Sequence, residues 1–324
     1  MITLKKYFNI LKLALKNLLL DLKKITNKNI YKRENIIKAN LDLGLYHLKL
    51  GNIKDAIFRF YIVSRFFDKK NTYSRYMLAW SYFLKKDIKK AIVEANHVPQ
   101  EDVDGLGLYL SQYKSCNVIP KTIVDQYKNL TAQYIYGRYF NKELSLSKIL
   151  VDELLTYLKT IPKDFKILDL GCKSGLIGAE IDSVLNKKYI IDGIEENDVL
   201  ANHARLISSP DSTRIYDEIY QTNIQEYLNN NNSQYDVVIA FDSLSDRKNF
   251  QDILTKVKGL LKNNGCFIFL LKKSMVTSLS TDFVSFEYQE TEIQNQISNS
   301  RFSLYSKKTY KIRKNEEYII FLAN

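Results

Sequence analysis

The apolar positions of this chain keep a helical period through its first half and lose it in the second. In residues 4–25, Leu4, Phe8, Leu11, Leu15, Leu18, Leu22 and Ile25 recur at alternating steps of four and three, flanked by Lys5, Lys6, Lys12, Lys16, Lys23 and Lys24. That spacing puts the apolar residues on one stripe and predicts an amphipathic helix. A second helical pattern fills 37–96 and occurs twice. LGLYHLKLGNIKDAIFRF is followed, 35 residues on, by LAWSYFLKKDIKKAIVEA, so Leu43, Gly44, His47, Gly51, Ala56 and Phe60 align with Leu78, Ala79, Tyr82, Lys86, Ala91 and Ala95. Residues 120–150 read as a helical connector rich in aromatics (Tyr127, Tyr134, Tyr136, Tyr139, Phe140), punctuated by Pro120 and Pro162.

After Pro162 apolar stretches of strand character appear at 165–170, 189–194, 236–241 and 265–271. Helical stretches fall between them near 176–186, 198–208 and 249–262. Such alternation predicts an α/β fold with a mostly parallel sheet and helices on both faces. The tail departs from it: RFSLYSKKTYKIR and EEYIIFLAN are strand-like runs joined by a short polar turn, an antiparallel hairpin at the sheet edge.

Composition narrows the picture. The 324 residues are 45% hydrophobic and 26% charged, which suits a globular chain of two domains and excludes a disordered or fibrous one. No apolar run approaches a membrane span, and the lysines within 4–25 argue against a secretory signal. Cys116, Cys172 and Cys266 form neither a disulfide framework nor a CxxC pair, which fits a reducing cytoplasm, and His47, His97 and His203 are too scattered to suggest a zinc site. The net charge of +12 is uneven. Residues 1–160 hold 28 Lys plus Arg against 14 Asp plus Glu, while 161–324 hold 20 against 22. The basic helix within 1–35 is therefore expected either to cover the neighbouring repeats or to rest on an anionic membrane surface. The basic half also leaves nucleic acid as a partner, although no recognised RNA-binding module is present.

The two copies in 37–96 resemble the tetratricopeptide repeat, a helix-turn-helix unit of about 34 residues. Gly44, Ala56, Ala79 and Ala91 supply the small residues that let paired helices approach, His47 is read as a packing residue, and Asp68 stands where the repeat has a proline. Two repeats leave apolar faces uncovered, so the N-terminal helix and a helix near 103–115 are the expected caps. The resemblance implies a protein partner recruited by the repeats.

Candidate chemistry lies at ILDLGCKSGLIG (167–178), a glycine-rich turn between a strand and a helix. Such a turn brings a ligand against the backbone at a helix N-terminus. GxGxxG does not fit, because its second and third glycines would be Lys173 and Leu176; DxGxxxG does, with Asp169, Gly171 and Gly175. The segment resembles motif I of the class I S-adenosylmethionine-dependent methyltransferases. Glu195 in IDGIEEN, Asn223 and Ile224 in QTNIQEYL, Asp242 in YDVVIAFDSL, and LLKNNGCFIFLL follow in the family's order. The whole resembles bacterial methyltransferases that carry N-terminal tetratricopeptide repeats. The resemblance implies a Rossmann-like methyltransferase domain at 161–324, preceded by a basic helix at 1–35, an all-α tetratricopeptide-like domain at 36–118 and a helical connector at 119–160.

It also implies S-adenosylmethionine as cofactor, with Asp169, Gly171, Cys172, Lys173, Gly175, Glu195, Asn223 and Ile224 around it. Glu195 would take the ribose hydroxyls, Asn223 the adenine amine, and Cys172 would pack beside the cofactor. Asp242 stands near the transferred methyl and is the candidate catalytic residue; Asp246 and the connector tyrosines are further candidate bases. Lys173 replaces the family's middle glycine, and its ammonium is expected either to pair with the cofactor's carboxylate or to narrow the cleft. AFDSL replaces the NPPY-type motif of amino methylation, which argues against adenine or glutamine as acceptor. Three functions follow: methyl transfer to a protein held by the repeats, a non-catalytic adaptor, and RNA methylation.

Overall fold

The computed structural model describes residues 31–98, 104–158, 165–185, 189–313 and 316–324; the side chains of 132–142, 144 and 313 lie outside that description. Most of the expected 1–35 helix, Pro162 and the side chains of Tyr134, Tyr136, Tyr139 and Phe140 therefore fall outside the described residues. The chain divides into two compact units. One comprises the described residues up to Ser111 with Asp125–Tyr134, the other Gln112–Val124 with Ile135–Asn324.

The first unit is helical. After α1 (31–49) come α2 (Ile53–Ile62), extended by a π turn at Val63–Phe67, then α3 (Thr72–Leu84), α4 (Ile88–Ala95) and α5 (Leu106–Gln112). The repeat seen in the sequence recurs in the backbone. Gly51 and Asn52 N–H groups donate to the carbonyls of Leu48 and His47, and Lys86 and Asp87 donate to those of Phe83 and Tyr82, the same bonds 35 residues later. Both turns need a left-handed residue, Gly51 at φ +78 and Lys86 at φ +67. The small residues act at close approaches: a Cβ on Gly44 would come within 2.6 Å of the Phe60 ring. Ala56, Phe60, Ala79 and Ala91 are buried, as are Trp80 and Phe83, whose rings meet edge-on at 5.4 Å. Asn71 and Asp87 cap α3 and α4 through Ser74 and Lys90 N–H. At the end of α4, Ala95 lies against Gly107 of α5.

The second unit is built on a parallel sheet. After α6 (Lys121–Tyr157) come β1 (Lys166–Leu170), α7 (Leu176–Leu185), β2 (Ile190–Ile194), α8 (Asp198–Leu206), β3 (Glu218–Tyr220), α9 (Ile224–Asn230), β4 (Tyr235–Phe241), α10 (Gln251–Leu260) and β5 (Leu261–Ser274). β6 (Ser278–Leu279), β7 (Phe286–Gln289), α11 (Glu290–Asn299), β8 (Leu304–Arg313) and β9 (Glu316–Ala323) complete it. The strands lie in the order β3-β2-β1-β4-β5, all parallel, and β9 pairs antiparallel with β5 while β8 pairs antiparallel with β9. Ile167, Ile191, Val237, Ile239, Cys266 and Ile268 form one core face of the sheet, covered in part by Leu146, Leu150, Val151 and Leu154 of α6. Continuous apolar runs such as DVVIAF suit strands buried on both faces.

The expected strands and closing hairpin are present. The expected helix at 249–262 stops earlier, because Leu261 turns to an extended conformation and starts β5. β3, β6 and β7 went unread because two to four residues are too few to display alternation, and α11 buries only Ile293 and Ile297 in an otherwise polar segment. Among the described residues no helix is long and apolar enough to cross a membrane, and no group of three His, Cys, Asp or Glu could hold a metal ion.

Candidate functional site

Because β1 lies between β2 and β4, the sequence segments singled out above leave the sheet at adjacent carboxyl ends, where ligands of open α/β sheets bind. The turn after β1 carries three left-handed residues, Gly171 (φ +72), Lys173 (φ +53) and Gly175 (φ +90). It is tied to β2 by Cys172 N–H donating to the Ile194 carbonyl at 2.9 Å. A Cβ on Gly171 would lie 2.6 Å from Ser243 Cβ and 3.8 Å from Ile224 Cδ1. Gly171, Ile224 and the residue after Asp242 thus converge, although they are far apart in sequence.

Glu195 is buried at the end of β2, and its two carboxylate oxygens are fixed separately. Lys173 N–H donates to Oε2 at 3.0 Å and Asn197 N–H to Oε1 at 2.8 Å. Each oxygen keeps a further lone pair for a ligand. Asn223 is the N-cap of α9: its Oδ1 accepts from Glu226 N–H at 2.8 Å and its Nδ2 donates to Glu226 Oε2 at 3.2 Å, so any contact with adenine would use the remaining lone pair or the second amide hydrogen.

Asp169 is fully buried in β1. Tyr216 hydroxyl donates to its Oδ2 at 2.7 Å and itself accepts from Gly178 N–H at 3.1 Å, while Oδ1 has no hydrogen-bond partner among the described residues. Burial pushes the Asp169 carboxyl up to about 7; the Tyr216 bond and the charge of Lys173 oppose the rise, and Glu195 adds to it. The same burial raises Tyr216 well above the ordinary phenol range. Cys172 is buried with its Sγ close to Gly193, and burial raises its thiol, so it packs rather than attacks.

Lys173 points toward β4. Its Nζ lies 3.9 Å from Asp242 Oδ2 and 5.4 Å from the Phe241 ring centre. Burial disfavours its charge, yet Asp242, Glu143, Glu195 and Asp169 together lift its pKa above the usual lysine value. The protein therefore supplies a carboxylate partner for this ammonium, one that the sequence reading did not consider. Asp242 also holds a left-handed φ of +53, and Ser243 Oγ is buried without a partner among the described residues. Asp246 is held at 2.8 Å by two nitrogens of Arg247, which leaves it poorly suited to act as a base. Sequence reasoning missed Tyr216 and Glu143, which lie in no local motif, and Ser243, which stands beside Asp242 in YDVVIAFDSL but was not singled out.

No family model matches the chain. Over 82 residues, 25% of the chain, it is 33% identical to the tRNA1(Val) (adenine(37)-N6)-methyltransferase of Yersinia enterocolitica, of which it spans 32%. Among solved structures, it is similar to a magnesium protoporphyrin IX methyltransferase from Synechocystis PCC 6803 (14% identity, TM-score 0.47, 63% of this chain and 94% of that one). It is also similar to an S-adenosylmethionine-dependent methyltransferase from Clostridium acetobutylicum (14% identity, TM-score 0.44, 59% and 96%). The strand order β3-β2-β1-β4-β5 is that of a Rossmann-like parallel sheet, to which β9 and β8 add an antiparallel hairpin.

Proposed function

We propose that the chain is a methyltransferase that uses S-adenosylmethionine. The observation that carries this reading is the convergence at the carboxyl ends of β1, β2 and β4: a left-handed glycine turn, a buried Glu195 held by two backbone N–H groups, and Asp169 Oδ1 left without a partner among the described residues. An unpartnered buried carboxylate oxygen is costly in the empty protein and suits a cationic ligand group such as the amino group of the cofactor. The residues present therefore fit the cofactor. Asp169 would hold its amino group, Glu195 its ribose hydroxyls, and Ile224 and Asn223 would border its adenine.

When bound, the cofactor supplies an electrophilic methyl group on a good leaving group. The protein's part is to align the acceptor and exclude water. Asp242, near Lys173, stands where it would orient the acceptor or take its proton. Lys173 holds that carboxylate in place in the empty protein.

The helical unit, in this reading, is a tetratricopeptide-like arm that recruits the acceptor, with the identical turns at Gly51 and Lys86 as support. A protein acceptor follows from that resemblance, and an anionic surface for the basic 1–35 segment remains part of the proposal. RNA is the second reading, favoured by the match to a tRNA methyltransferase. Transfer of a radiolabelled methyl group from S-adenosylmethionine to separated protein and RNA fractions tests both. Asp242→Ala is expected to abolish transfer while leaving S-adenosylhomocysteine binding in place; transfer by neither the native chain nor any fraction favours the adaptor.

A further inference from the structure

A cavity of about 280 Å³ is bounded by Tyr113, Lys114, Lys248, Thr277, Ser278 and Phe283 among others. Three segments of the second unit build it: the turn Tyr113–Ser115 ahead of α6, the loop that leaves β4, and the stretch that leaves β5. They are tied together through the main chain. Ile119 N–H donates to the Asp246 carbonyl at 2.8 Å, Lys248 N–H to that of Asn117 at 2.9 Å, and Phe286 N–H to that of Ser245 at 2.7 Å. The loop that bears Lys248 begins at Asp242, and the Tyr288 hydroxyl braces it, 2.8 Å from the carbonyls of both Leu244 and Arg247.

The lining has one chemical character. Lys114 and Lys248 bring two positive charges, and neither has a carboxylate partner among the described residues; Lys248 Nζ lies 5.8 Å from the Phe286 ring centre instead. The neighbouring Asp246 and Arg247 neutralise each other. Tyr113 and Phe283 meet edge-on at 5.4 Å, so aromatic surface stands beside the ammonium groups, and Phe283 holds a left-handed φ of +62 that a bulky side chain rarely adopts. Thr277 Oγ1 accepts from Gln289 N–H at 3.0 Å and keeps its own hydrogen to donate, beside the hydroxyl of Ser278. Unpaired cations, aromatic rings and hydroxyls together match an anion that carries a planar ring and a sugar.

We infer that this cavity is the acceptor subsite for a nucleoside monophosphate unit, either free or within a single-stranded RNA. The phosphate meets Lys114 and Lys248, the base meets Tyr113 and Phe283, and the hydroxyls of Thr277 and Ser278 serve the ribose or phosphate. Its role as an acceptor subsite rests on the second reading above, methyl transfer to a nucleotide rather than to a protein; nucleotide binding does not.

Calorimetric titration of AMP, UMP and a short single-stranded RNA into the full chain tests it, with S-adenosylhomocysteine titrated in parallel. Nucleotides are expected to bind, more weakly as salt rises, and Lys114→Glu with Lys248→Glu to lower the affinity by about tenfold or more without changing S-adenosylhomocysteine binding. Lys114→Ala alone, at an exposed position, checks the effect in a variant whose fold is not in question. RNA bound much more tightly than AMP identifies the strand as the source, and equal affinity identifies the free nucleotide. Absence of nucleotide binding in a preparation that binds S-adenosylhomocysteine, binding indifferent to both lysines, or a preference for phosphotyrosine would overturn the inference. Lysine-dependent nucleotide binding in a protein deaf to S-adenosylhomocysteine would support the cavity and remove the methyl-transfer reading.

Discussion

Both units contain backbone held in the left-handed region, but they use it differently. In the helical unit it is a repeated device: Gly51 and Lys86 make the same turn with the same two hydrogen bonds, 35 residues apart. In the sheet unit Gly171, Lys173, Gly175 and Asp242 are not copies of anything, and they gather at the carboxyl ends of β1 and β4. A left-handed turn costs a non-glycine residue about 1–2 kcal/mol in either place. Repetition explains the cost in the first unit as part of building each helix pair. In the second unit Lys173 and Asp242 bear the cost at the proposed cofactor site, Phe283 bears it in the lysine-lined cavity, and Ser212 and Arg301 bear it elsewhere.

The largest expected effect that separates the two concerns Asp169. Its folded-state pKa of about 7 lies above the ordinary carboxylate value, so between those limits the folded chain keeps a proton that the unfolded chain has released. Stability therefore falls as pH rises through that window, by about 4 kcal/mol at most. Asp169→Asn should flatten the slope and leave the variant more stable than the native chain at pH 8, as read by denaturant unfolding at several pH values. An unchanged slope would mean that Asp169 is not the buried acid described here.

Gly171→Ala combines a positive φ with a Cβ 2.6 Å from Ser243, and should cost about 2–4 kcal/mol and abolish cofactor binding. In the helical unit Gly44→Ala, pressed against the Phe60 ring, should cost about 1–3 kcal/mol and leave cofactor binding unchanged. The smallest effect is the sharpest comparison. Lys86→Gly should raise stability by about 0.5 kcal/mol, as relief of the left-handed strain slightly exceeds the added chain entropy, whereas Lys173→Gly should gain less, because it also removes the ammonium that faces Asp242. Only Lys173→Gly should alter S-adenosylhomocysteine affinity. Equal behaviour of the two glycine variants in that titration would erase the distinction between a folding turn and a functional one.

Features carried by local spacing were legible in the sequence. The 35-residue offset foretold the paired turns, and the glycine turn after β1 announced itself through Asp169, Gly171 and Gly175. Features that depend on residues brought together from a distance were not. Tyr216 lies 47 residues from Asp169 and belongs to no periodic segment. Lys173 was read against a cofactor, whereas the fold gives it Asp242, 69 residues on. The lysine-lined cavity draws on three segments, none of which carries a motif.

The central claim is that the carboxyl ends of β1, β2 and β4 hold S-adenosylmethionine. Isothermal titration of S-adenosylhomocysteine into the full chain tests it most directly, beside Glu195→Ala. Micromolar binding is predicted for the native chain. In Glu195→Ala it should weaken by roughly 1–3 kcal/mol, because the ribose hydroxyls lose their acceptor and two backbone N–H groups lose theirs. No heat at millimolar ligand, or affinity indifferent to Glu195, would contradict the account.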